Sequence, residues 1–199
     1  MKKLQDYIRI FEGRKKIKAT DQNIKAIVVL ELEKLGLNAD LNHIDVSNVT
    51  NMSGLFSCAP NGGYHNSANL NPSFEELDID ISKWDVSNVK DMYCMFYGCR
   101  YFNCDISGWD VSKVENMYHM FYECKSFNQD ISRWDVRNLK HADEMFYGCT
   151  SFDQDLSSWK TLKQCWKSDM FARCFTGMLW HQEKWPPFAR GSNNLYTPS

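Results

Sequence analysis

The sequence predicts an α/β repeat protein, a solenoid of about five short coils with a lid at each end. Three observations predict it. Trp84, Trp109, Trp134 and Trp159 recur at one constant step. Other columns keep the same step: Asp80, Asp105, Asp130 and Asp155; Ser82, Ser107, Ser132 and Ser157; Met95, Met120, Met145 and Met170, each followed by Phe; and Cys99, Cys124, Cys149 and Cys174. Within each unit the apolar period lengthens from two to three or four, as expected where a strand gives way to a helix.

Residues 1–40 read as a basic amino-terminal cap, in which Lys and Arg outnumber Asp and Glu. Its stretch TDQNIKAIVVLELEKLG, residues 20–36, predicts a helix. Thr20 or Asp21 is the candidate cap, Ile24, Ile27, Val28, Leu32 and Leu35 form the inner face, and Gly36 stops it. Residues 41–174 read as the repeat array. Ile44-Asp45-Val46-Ser47-Asn48-Val49 opens a degenerate first copy with Ile44 in the Trp column. The interval from Ile44 to Trp84 is longer than that from Trp84 to Trp109, so an insertion falls within the Gly-, Asn-, Pro- and Ser-rich loop 57–76. Inside one unit, Asp105-Ile106-Ser107 alternates as a short strand with Ile106 inward. Val114, Met117, Met120, Phe121 and Cys124 then share one face of a helix, with Asp110 and Ser112 placed to cap it. Strand, turn and helix in so short a unit match a leucine-rich-repeat coil, which buries its apolar side only against its neighbours. Residues 175–199 read as a carboxy-terminal cap and tail, closed by Phe175, Leu179, Trp180, Trp185 and Phe188.

The pattern FNxDISxWDVSNVxxMxxMFxxC, covering about residues 44–174, resembles the repeat of BspA-like leucine-rich-repeat proteins. This group comprises bacterial surface-protein or lipoprotein repeats of unknown function, with phage- and mobile-element-borne copies. The resemblance implies a right-handed solenoid used for protein binding, and for some members adhesion to host matrix proteins. A signal, a lipid-attachment cysteine near the start and a wall-anchor tail, which the adhesin pattern would carry, are not found.

Composition narrows the function. The net charge of −2 gives no basic field for nucleic acid. The start has no apolar run of about seven to fifteen residues, so it does not read as a secretory leader. No stretch approaches the roughly 18 apolar residues of a membrane span. The expected setting is therefore cytoplasmic, or the cell surface or exterior if a leader has been trimmed. No phosphate loop, HExxH or nucleophile constellation occurs, so no catalytic residue and no cofactor is assigned. The Cys column reads as small buried hydrophobes rather than as a metal site, since no CxxC pair exists. The Asp columns suit turn caps and bonds between coils; calcium is the minor alternative.

Positions that vary between repeats, together with the outward-facing Tyr and the Asp row beside them, are the candidate binding residues. Tyr93, Tyr97, Tyr118, Tyr122 and Tyr147, with His119, form a tyrosine patch across adjacent coils. Gln129, Gln154 and Arg133, with Asp105 and Asp130, form a polar, mostly acidic strip suited to a basic or polar segment. Tyr64 and His65 mark the insertion. The expectation is a non-enzymatic protein–protein interaction module, an intracellular inhibitor of a host or defence protein if carried by a phage or mobile element. The alternative is a surface or secreted adhesin.

Overall fold

A helix and a short strand pair close the amino-terminal end of the array. In the computed structural model, residues 16–58, 74–161, 165–174 and 182–189 are described. Strand β1 (Ile17–Lys18) pairs in parallel with β2 (Ile44–Asp45). Helix α1 (Ile24–Leu35) lies between them in sequence. Its 3.6-residue period buries Ile24, Val28 and Leu32, while Ile27 and Leu35 pack half-buried at the margin of the same core. Gly36 ends the helix at φ 84°, donating its N–H to the Leu32 carbonyl at 2.8 Å. The expected cap residue Asp21 reaches elsewhere, and Asn23 takes the position before the helix. One charged group on α1 is buried: Glu31 accepts from Lys34 Nζ at 2.7 Å and lies 2.9 Å from His43 Nε2.

Successive copies lie side by side through parallel backbone pairing. Bridges join Asn51 to Asp91, Asp91 to Asn116, Asn116 to His141 and His141 to Trp166. The first of these steps is the long one and the other three are equal, so the pairing register is the same on either side of the insertion. At one interior step Met92, Cys94, Phe96 and Gly98 donate their N–H groups to the carbonyls of Asn116, Tyr118, Met120 and Tyr122, at 2.7 to 3.0 Å.

The helix expected over Val114–Cys124 does not form. Four-residue turns replace it, closed by Met120 N–H to Met117 O at 3.1 Å and Cys124 N–H to Phe121 O at 3.0 Å. The third residue of each turn has positive φ, His119 at 56° and Glu123 at 57°, as a type II turn requires. The pair recurs at Cys94 and Gly98, Glu144 and Gly148, and Asp169 and Arg173. Such turns bring Met117, Met120, Phe121 and Cys124 to one side with the spacing of a helix. They also release alternate N–H groups to bond the next coil instead of their own carbonyls. The expected strand at Asp105–Ser107 is likewise a turn: Asp105 Oδ1 accepts Ser107 N–H at 3.0 Å and Ser107 Oγ–H at 2.6 Å.

The core is a set of aromatic stacks. Phe56, Phe96, Phe121, Phe146 and Phe171 follow one another with centroids 5.4 to 5.7 Å apart and planes within 11°. Phe102, Phe127 and Phe152 form a second stack beside it, at 6.1 and 5.8 Å. Trp185 closes the carboxy-terminal end, buried against Phe171 at 4.9 Å. Phe188 packs half-buried at that margin. The expected closing residues Phe175, Leu179 and Trp180 lie outside the described residues.

Candidate binding surface

The repeated columns serve the stacking of coils. Each column Trp donates its indole N–H to a carbonyl of the preceding coil: Trp84 to Leu41, Trp109 to Ile81, Trp134 to Ile106 and Trp159 to Ile131, at 3.0, 3.4, 3.2 and 3.1 Å. A buried indole N–H needs such an acceptor, which explains why Trp recurs where Phe would fill similar space. The Cys column does the same. Cys99, Cys124, Cys149 and Cys174 lie buried with Sγ 2.7 to 3.0 Å from the Phe56, Phe96, Phe121 and Phe146 carbonyls. Burial pushes the thiols of Cys99, Cys124 and Cys149 well above their ordinary range and that of Cys174 to about 12, so they act as thiol donors rather than as thiolates.

Both Asp rows cap turns within their own coil. Asp80, Asp105, Asp130 and Asp155 accept the N–H of the Ser two residues on, and Asp85 and Asp110 repeat the pattern. The hydrogen bonds from Ser107 and Ser132 hold the Asp105 and Asp130 carboxyls below their ordinary range. Of the first Asp row, Asp80 also reaches a neighbouring coil, its Oδ1 3.9 Å from Cys104 Sγ, and Gln side chains make further bonds between coils. Gln129 Nε2 donates to the Asn103 carbonyl at 2.8 Å and Gln154 Nε2 to the Asn128 carbonyl at 3.1 Å. Of the strip assigned from sequence, Gln129 and Gln154 therefore tie coils together. Asp105, Asp130 and Arg133 stand exposed. Among the described residues no cluster of three or more His, Cys, Asp or Glu is placed to hold a metal ion.

The tyrosines come together as a wall. Tyr97, Tyr122 and Tyr147 stack face to face with centroids 4.6 and 4.5 Å apart and planes within 5°. Tyr93 stacks on Tyr118 at 5.4 Å. His119 sits between the two stacks, 3.9 Å from Tyr118 and 5.0 Å from Tyr122. All six side chains are half-buried, one side in the array and one toward solvent. Glu123 and Glu144 border the wall. Burial, with these carboxylates adding to it, raises the Tyr97 hydroxyl above its ordinary range. Burial lowers the His119 imidazole, outweighing the pull of Glu144. His119 Nε2 is 3.3 Å from Glu144 Oε2 yet is not aligned for a hydrogen bond. At the end of the longer stack the Arg173 guanidinium lies over the Tyr147 ring at 5.4 Å.

Two features of this surface are not marked by the sequence reading. Trp166 is 59% exposed in the column that holds Asn116 and His141; its replacement of polar residues in a fixed column was the available signal. Gly148 leaves space for a carboxylate: a Cβ there would stand 2.6 Å from Glu123 Oε1. Tyr64 and His65 lie outside the described residues. No helix among the described residues is long and apolar enough to cross a membrane.

Comparison with known proteins gives one match. The family described as "Mycoplasma protein of unknown function, DUF285" matches residues 3–66 and 65–179. No curated protein and no solved structure matches the chain.

Proposed function

Since the chain belongs to the DUF285 family of Mycoplasma proteins, we propose that it is a non-enzymatic protein-binding module, a BspA-like array of leucine-rich-repeat type wound as a right-handed solenoid. The parallel bridges that recur at the repeat interval, from Asp91 through Asn116 and His141 to Trp166, support the solenoid part of this reading. The observation that carries the binding part is the tyrosine wall. Tyr offers a large, stiff contact area with a polar tip and is enriched where proteins meet. The side chains that suggest chemistry in the sequence have structural partners instead: column thiols on carbonyls, indoles on carbonyls, carboxylates on turn amides. The wall runs across successive coils and presents ring edges and hydroxyls beside Glu123 and Glu144, a surface that suits a polar or basic protein segment.

The test is a triple variant, Tyr97→Ala with Tyr122→Ala and Tyr147→Ala, used beside the unchanged chain to capture partners from cells of the source organism. A variant that keeps its circular dichroism spectrum but loses a captured protein supports the reading. Equal capture by the two chains removes the wall from consideration. A parallel variant replacing the loop 57–76 by a connection of ordinary repeat length reports on the insertion in the same way.

A further inference from the structure

One thiol contact departs from the pattern of the Cys column. Each column cysteine meets a carbonyl of the preceding coil, but Cys99 also meets a second thiol: its Sγ is 3.8 Å from Cys58 Sγ. Both sulfurs face the Phe56 carbonyl, Cys99 at 3.0 Å and Cys58 at 3.9 Å. Cys58 is half-buried whereas Cys99 is fully enclosed. Gly98 makes the room, since a Cβ there would stand 3.0 Å from Cys58 Cβ. Coil one therefore places a solvent-reachable thiol against a buried one on coil two.

We propose that Cys58 and Cys99 form a dithiol modification site that a small disulfide such as oxidised glutathione closes into an intramolecular disulfide. The sulfurs need approach only from 3.8 Å to about 2 Å. Cys58, the accessible partner, loses its proton and attacks one sulfur of oxidised glutathione, which forms a mixed disulfide and expels a glutathione thiolate that takes up a proton. Cys99 then attacks the Cys58 sulfur, forms the protein disulfide and expels the second glutathione, which takes the Cys99 proton. Two protein thiols are oxidised and one glutathione disulfide is reduced to two thiols. Burial raises the Cys99 thiol, which slows this second step, and the 3.8 Å approach of the two sulfurs offsets that by making the attack intramolecular. The product pins the first coil to the second at Cys58.

The experiment exposes the folded full-length chain to oxidised glutathione, quenches in acid, and reads the intact mass and a peptide map made without reduction. The expected product is lighter by two hydrogen atoms, with the Cys58 peptide joined to the Cys99 peptide. Cys99→Ser should stop at a single glutathione adduct on Cys58. Cys58→Ser, a change at a half-exposed position that leaves the buried column whole, should give no internal link and leave Cys99 unmodified, whether or not the other half-buried thiol, Cys104, takes an adduct. A wild-type chain that retains the adduct, or that links any other pair, overturns the proposal, and the wild-type map decides this even if Cys99→Ser does not fold.

Discussion

The two ends of the array are closed by opposite chemistry. At the carboxy-terminal end an aromatic ring continues the stack: Trp185 lies on Phe171 much as one core Phe lies on the next. At the amino-terminal end a carboxylate stands in for backbone. In the interior, Glu115 and Asn116 both donate their N–H groups to the Lys90 carbonyl, at 2.8 and 3.4 Å. In the first coil, the equivalent donors Thr50 and Asn51 find Asp21 Oδ1 at 2.7 and 3.0 Å, and Thr50 Oγ1–H finds Oδ2 at 2.7 Å. Asp21 thus supplies the acceptor that a preceding coil would have supplied. An apolar lid is insensitive to pH, whereas a carboxylate lid holds less firmly once it is protonated.

Substitutions can measure that contrast, beginning with an interior reference. Phe121→Ala empties a site enclosed by Phe96 and Phe146 and should cost about 3–5 kcal/mol, read by denaturant unfolding. Trp185→Ala should approach the same range, because Trp185 is as fully buried as the interior rings; a loss below about 1 kcal/mol would show that residues 182–189 do not close the core. Asp21→Ala should cost less, about 1 kcal/mol as for other side-chain caps, because the site is exposed and water can replace the acceptor. Its loss should appear as faster hydrogen exchange confined to the first coil, since contacts in a repeat array reach only nearest neighbours.

The smallest effect is the pH dependence of that end. Burial works to raise the Asp21 carboxyl, but the hydrogen bonds from Thr50 and Asn51 outweigh it and hold the carboxyl below its ordinary value. A carboxyl lowered in the folded state contributes stability that is present above its unfolded value, about 3.9, and is lost as pH falls through the folded value. Asp21→Asn keeps one oxygen acceptor and cannot titrate. Its deficit relative to the natural chain should therefore be visible at neutral pH and shrink below about pH 4. A deficit constant with pH would mean that Asp21 acts through geometry alone.

Much of this organisation is legible in the sequence, and the parts that are not have physical causes. The constant step places the Trp, Met, Phe and Cys columns in the core because a residue needed at every coil is needed for stacking. The boundary of α1 is legible from Gly36. The turns of residues 117–123 are not, because a chain of four-residue turns and a helix return apolar side chains to one side at the same spacing of three and four. Gly98 and Gly148, at one column, were the available sign that φ must be positive there, but Glu123 in the same column hides it. The Trp and Cys hydrogen bonds are hidden for a different reason: their acceptors are carbonyls of another coil, and carbonyls leave no mark in a sequence. Grouping Tyr97, Tyr122 and Tyr147 required only the repeat step. His119 is assigned to the same patch from sequence, but its seat between the two stacks depends on its positive φ, which a helical reading does not supply.

The constant offset between neighbouring coils has an evolutionary consequence. Cys94 recognises the coil after it through the Tyr118 carbonyl, and His119 recognises its own successor through that of Asp143. Almost nothing in these backbone contacts depends on which unit is which. A gene encoding such a chain can gain or lose a whole unit by unequal recombination and still produce a continuous array. The long first step, from Asn51 to Asp91, shows that a longer interval between units is compatible with the same register. Surface residues such as those of the tyrosine wall can then diverge on a frame whose length is itself open to selection.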